Sequence, residues 1–158
     1  MIIGLVQITE PIQACVNLPY TAGVLQTYVQ AFAGQPQEYT FLPPLFLREP
    51  LAQAVHKLKD ADLVGFSTYL WNLNYSLALA QALKAQRPQV LIVFGGPQVP
   101  DQAAEFLAAH PFVDLCVHGE GEQTFLQLVE SWPQSHDFSA LRGVSYRDAQ
   151  GTCVSQPK

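Results

Sequence analysis

"LIVFGGPQVP", residues 91–100, is an apolar, partly β-branched run that stops at two glycines and two prolines. Too short for a helix and closed by chain breakers, it reads as a strand, over residues 90–94, of a sheet covered on both faces. The same grammar recurs on either side. Strand-like runs occupy residues 2–8, 38–42, 63–67 and 114–118, and segments of helical period occupy 20–32, 50–59, 73–85, 101–109 and 122–130. That alternation gives five βα units and predicts an α/β, doubly wound parallel sheet.

Punctuation supports the helices. Pro50 suits a first helical turn, Pro88 follows the third helix, and Asp101 is placed to cap the fourth, ahead of Ala103, Phe106 and Leu107. Glu120 and Glu122 stand where they complement the dipole of the fifth, a structural role that competes with a functional one. Beyond Pro133 the pattern changes: "GVSYRD" and "TCVSQ" flank "AQG" as a β-hairpin would. Residues 1–131 are therefore expected to form the main domain, and 132–158 a connector and hairpin.

Composition excludes several functions. The chain has 158 residues, 49% of them hydrophobic and 13% charged, enough for a continuous core. A formal charge of −5 with only 8 Lys and Arg offers no footprint for nucleic acid. No stretch reaches the ~20 apolar residues of a membrane span, no signal peptide is legible, and a cytoplasmic, reduced setting is expected. Cys15, Cys116 and Cys153 are scattered, which suits buried apolar residues better than a zinc site or disulfides. His56, His110, His118 and His136 are isolated too, so no metal site and no catalytic set is expected.

In a doubly wound sheet the ligand lies outside the carboxyl ends of the strands, so the loops there decide function. The first, "TEPIQACVNLPYTAG", has no Gly-x-Gly-x-x-Gly, and the chain has no P-loop. The third, "GFSTYLWNLNYS", places Ser67 where a phospho-receiver needs Asp; its hydroxyls, at Ser67 and Thr68, suit either a helix cap or a ligand, and Tyr69, Trp71 and Tyr75 add flat surface. In the fourth, Gly95 and Gly96 remove every β-carbon from a patch of the ligand edge, ahead of stiff Pro97. The fifth, "VHGEGEQTF", sets Gly119 and Gly121 around Glu120 at a helix start.

In order, "NLPYTAG", "GFSTYLWN", "FGGPQVP" and "HGEGEQTF", followed by the "LRGVSYRDAQG" hairpin, make a set that resembles the N-terminal cobalamin-binding domain of cobalamin-dependent radical S-adenosylmethionine enzymes. The resemblance implies a Rossmann-like, flavodoxin-type sheet of strand order 2-1-3-4-5, with the C-terminal hairpin leading toward a radical domain. It implies cobalamin held by Asn17, Ser67, Thr68, Tyr69, Leu70, Gly95, Gly96, Pro97, Gly119, Glu120 and Gly121, with the dimethylbenzimidazole tail beside Gly95 and Gly96. The segment Ser67 to Leu70 is one residue longer than the family's Ser-x-Leu. Asp-x-His-x-x-Gly, which supplies a cobalt ligand in mutases and methionine synthases, is absent, so the resemblance implies base-off cobalamin without a histidine on cobalt. The Cys-x-x-x-Cys-x-x-Cys cluster motif is absent as well, so a 4Fe-4S cluster and S-adenosylmethionine would belong to a downstream domain. Two other readings stand beside this one: a fold that has lost the cofactor and serves as a docking module, and an unrelated small α/β enzyme or nucleotide binder. Gly96→Leu is expected to abolish corrinoid retention and spare the fold, unless Gly96 has a positive φ.

Overall fold

The computed structural model of the chain describes residues 1–10, 17–135 and 137–157. Five strands, β1 (Ile2–Val6), β2 (Thr40–Phe41), β3 (Leu63–Ser67), β4 (Leu91–Gly95) and β5 (Leu115–Val117), pair in parallel in the order 2-1-3-4-5. The hairpin strands β6 (Val144–Arg147) and β7 (Cys153–Ser155) continue the same sheet antiparallel from β5, making seven strands. β2 is two residues long because Pro43 and Pro44 follow it and the 3-10 turn Pro36–Glu38 precedes it. A bridge from Val6 to Leu45 carries the pairing past the prolines.

Helices α1 (Tyr20–Phe32) and α5 (Glu122–Ser131) cover one face; α2 (Leu51–Leu58), α3 (Leu73–Gln86) and α4 (Ala104–Ala109) cover the other. Strand alternation feeds both layers. Leu5, Val93 and Val117 point to α1 and α5, while Val6, Ile92, Phe94 and Cys116 point to α2 to α4. At the start of the strands, Asp114 accepts from the Ile92 amide at 2.7 Å and from Lys84 Nζ at 2.7 Å, which locks α3 to β4 and β5.

Two helix starts differ from expectation. α4 begins only at Ala104, with Ala103 at its cap and no side-chain capping bond, so Asp101 does not cap it. The preceding segment is drawn back to the sheet edge, where Gln98 N donates to Thr68 O and Val99 N to Gly96 O, and the helix starts after that turn and the burial of Ala103. Pro50 sits at the cap of α2 and not in its first turn. Among the described residues no helix is long and apolar enough to cross a membrane.

Candidate functional site

A cavity of about 260 Å³ opens at the carboxyl ends of the central strands, on the face of α1 and α5. Its deep wall is apolar: Leu5, Leu25, Val93, Val117 and Phe125 line it, with Gly65 as floor. Polar groups gather at the rim, from Thr21, Ser67, Tyr69, Glu120 and Glu122. Pockets that bury a whole drug-sized ligand run roughly 300–1,000 Å³. This cavity, somewhat smaller, therefore suits an apolar part of a larger molecule.

Of the eleven residues expected to bind, Ser67, Tyr69, Gly95, Gly96, Pro97, Gly119, Glu120 and Gly121 line the cavity. Thr68, Leu70 and Asn17 do not. Thr68 is fully buried and its hydroxyl donates to Gly95 O at 2.8 Å, so it serves the backbone crossing instead. Leu70 is 81% exposed outside the mouth, and Asn17 is exposed before α1. Cys15 and His136 lie outside the described residues.

The glycine pair divides into two roles. Gly96 has φ +98°, and a β-carbon there would stand 2.7 Å from Thr68 O and 2.9 Å from Thr68 N. The chain crossing alone requires that glycine, and Gly96→Leu would strain the fold. Gly95 differs. Among the described residues, a β-carbon there would meet only Val117 Cβ and O, both at 3.9 Å, which is ordinary contact. The fold itself would accept a side chain at 95, so its absence leaves the cavity wall bare.

Sequence reading passed over two residues. Gly65, in the middle of "LVGFS", lets Leu5 and Phe125 close behind the floor, since its β-carbon would lie 3.1 Å from Leu5 Cδ2 and 3.6 Å from Phe125 Cε2. A glycine inside a strand was the available signal. Asn72, fully buried at the cap of α3, donates from Nδ2 to Ile8 O at 2.9 Å and Ser67 O at 3.1 Å, and accepts from the Tyr69 amide at 2.8 Å. It ties the exit of β3 to the chain beyond β1.

At the mouth, Tyr69 stacks on Trp71 with ring centroids 4.8 Å apart and planes 7° from parallel. Tyr69 Oη shares a hydrogen bond of 3.3 Å with Thr21 Oγ1, and Trp71 Nε1 donates to Ile8 O at 3.2 Å. The exposed side chains of Leu18, Leu70 and Trp71, on loops, and of Tyr20, the first residue of α1, stand at this same edge.

Neither the described histidines nor any cluster of ligands offers a metal site in the cavity. His56 is exposed on α2, His110 packs against Phe106 and Phe112 after α4, and His118 bonds Ser145. No group of three or more His, Cys, Asp or Glu capable of holding a metal occurs among the described residues.

The B12 binding domain family matches residues 21–129, which contain β2 to β5, the helices around them and most of the cavity wall. The chain belongs to the B12-binding domain family. Two curated relatives agree with that membership. The 2-(S-pantetheinyl)-carbapenam-3-carboxylate methyltransferase of Streptantibioticus cattleyicolor is 36% identical over 141 residues, 89% of this chain and 21% of that protein. The cobalamin-dependent radical SAM methyltransferase TokK of Streptomyces tokunonensis is 37% identical over 131 residues, 82% of this chain and 19% of that protein. The chain thus spans about a fifth of the length of these curated relatives. In fold, it superposes on the cobalamin-dependent S-adenosylmethionine radical enzyme OxsB, solved with aqua-cobalamin and S-adenosylmethionine bound, with a TM-score of 0.80 at 17% identity, over 99% of this chain and 22% of that one.

Proposed function

We propose that this B12-binding domain is the cobalamin-holding module of a radical S-adenosylmethionine methyltransferase or cyclase, with the nucleotide tail in the cavity and no protein imidazole on cobalt. The observation that carries the reading is Gly95: the fold tolerates a side chain there, and the cavity beside it is lined as a buried aromatic ring requires. Leu5, Val93, Val117 and Phe125 would enclose the tail, Gly95 would let it lie against bare backbone, and the Tyr69 and Trp71 stack would face the corrin at the mouth. Cobalamin would supply a cobalt centre able to carry a methyl group. This chain's own part is to hold the ring at the sheet edge and to exclude water from the tail. The iron–sulfur cluster and S-adenosylmethionine belong, on this reading, to a downstream domain that also meets the exposed apolar rim.

A docking module without cofactor would explain Gly96, which the backbone crossing demands, but not the bare wall at Gly95. One experiment separates the two. After mixing with hydroxocobalamin and desalting, the protein is expected to keep the visible corrinoid spectrum, and a colourless protein refutes the proposal. In the Co(II) form, electron paramagnetic resonance is expected to show no nitrogen superhyperfine splitting. Splitting that vanishes in His118→Ala would place His118 on cobalt and refute the absence of a protein imidazole, whereas splitting that persists would be that of the dimethylbenzimidazole and refute the base-off arrangement.

A further inference from the structure

On the sheet face opposite the cavity, three side chains form a continuous hydrogen-bonded line across β5, β6 and β7. His118 Nε2 lies 2.8 Å from Ser145 Oγ, and Ser145 Oγ lies 2.8 Å from Ser155 Oγ. Strand alternation fixes the side: Val117, Val144 and Tyr146 belong to the cluster under α1 and α5, whereas Cys116, the register partner of Ser145, belongs to the other. Ser145 is fully buried, so its hydroxyl is held in place by its two neighbours in the line. The line conducts in either direction. If Ser145 donates to His118 then Ser155 donates to Ser145, and if the imidazole N–H donates then both hydroxyls turn over. Either histidine tautomer keeps both bonds.

His118 is the last residue before the cavity-lining segment 119–122. Its amide donates to Gly143 O at 2.8 Å, and the next residue, Gly119, turns the chain with φ +76° toward the cavity. Backbone and side chain together therefore fix where that segment leaves the sheet. Downstream, Thr124 Oγ1 donates to Arg142 O at 3.1 Å, a second tie between α5 and the chain entering β6. We propose that Ser145 and Ser155, acting through His118, are positioning residues for segment 119–122 of the ligand site. They touch no ligand. Their effect is to hold His118, and with it the rim that carries Gly119, Glu120 and Gly121. This inference rests on the cobalamin reading for its ligand, but its geometry does not.

The test therefore has two arms, on the whole chain. In ligand-free protein, amide hydrogen exchange of His118 and Phe125, which donate to Gly143 O and Gly121 O on either side of the segment, is expected to be about tenfold faster in Ser145→Ala, as loss of a buried hydrogen bond implies, and less affected in Ser155→Ala, while β1 and β3 exchange as before. In the second arm, Ser145→Ala is expected to raise the Kd for hydroxocobalamin several-fold, and His118→Gln, which keeps a side-chain donor and acceptor, is expected to bind more tightly than His118→Ala. Unchanged exchange at His118 and Phe125 overturns the proposal. Faster exchange with an unchanged Kd also overturns it, because the line would then serve the hairpin alone. If wild-type protein binds no hydroxocobalamin, the cobalamin reading has failed, and the exchange arm alone decides whether the line holds the segment.

Discussion

At the scale of single residues, adjacent glycines in one motif answer to different forces. Gly96 is confined by a backbone crossing, with Thr68 O 2.7 Å from where its β-carbon would be, and a β-carbon at Gly95 would meet Val117 only at ordinary contact distance. Gly95→Leu is therefore expected to remove hydroxocobalamin retention while thermal unfolding shifts little; Gly96→Ala is expected to lower stability by roughly 1–3 kcal/mol through backbone strain. Circular dichroism melts beside desalted spectra distinguish the two, and equal melts would show that the pair acts only as a turn. Cys116 gives a second residue-scale expectation. Burial first, then the neighbouring Cys153, pushes its thiol up to about 12 from 9.0, against the lowering pull of Arg147. The folded state thus keeps a proton that the unfolded chain releases, so the stability Cys116 contributes is complete below pH 9 and is lost as pH rises from 9.0 toward about 12. Urea titrations across that window are expected to fall more steeply for wild type than for Cys116→Ala, by at most about 1.4 kcal/mol per pH unit. Parallel curves would refute the assignment.

At the scale of elements, Asn72 does at the cap of α3 what no single strand could do for itself. Its three bonds join the carboxyl ends of β1 and β3 and orient Tyr69 at the mouth. Asn72→Leu strands those backbone groups in a buried place, and a loss of about 2–4 kcal/mol is expected in chemical denaturation, with weaker corrinoid retention because Tyr69 loses its anchor. A loss below ~0.5 kcal/mol would mean that Ile8 O is served well enough by Trp71 alone. The helices and strands themselves were largely legible, since apolar period and breakers are local: residues 63–67 and 20–32 match β3 and α1 at both ends. Caps were less so. Asp101 has the right chemistry for a cap, but the turn that ties Gln98 and Val99 back to β3 and β4 is a tertiary contact that no window of sequence contains. For the same reason the loops that line the cavity could be read from their positions after the strands, whereas its floor at Gly65 and its wall at Leu5, Leu25 and Phe125 could not, because those residues also look like ordinary core.

At the scale of the whole molecule, the carboxyl edge holds an apolar pocket with polar groups at its mouth, while Leu18, Tyr20, Leu70 and Trp71 stand exposed on the same edge outside it. If the pocket takes the nucleotide tail, cobinamide, which lacks that tail, forfeits the buried apolar contact and is expected to bind at least about tenfold more weakly than cobalamin. Competition between the two corrinoids checks this, and equal affinity would place the binding energy entirely at the rim. The seven strands end at β2, two residues long, and at β7, three residues long. A sheet grows by offering a long row of unpaired amides and carbonyls to another chain, and each outer strand here is too brief to template one. The hairpin therefore covers the outer edge of β5 and leaves two short strands as the borders of the sheet. Copies of the domain meet little edge to extend, so association by strand pairing is disfavoured.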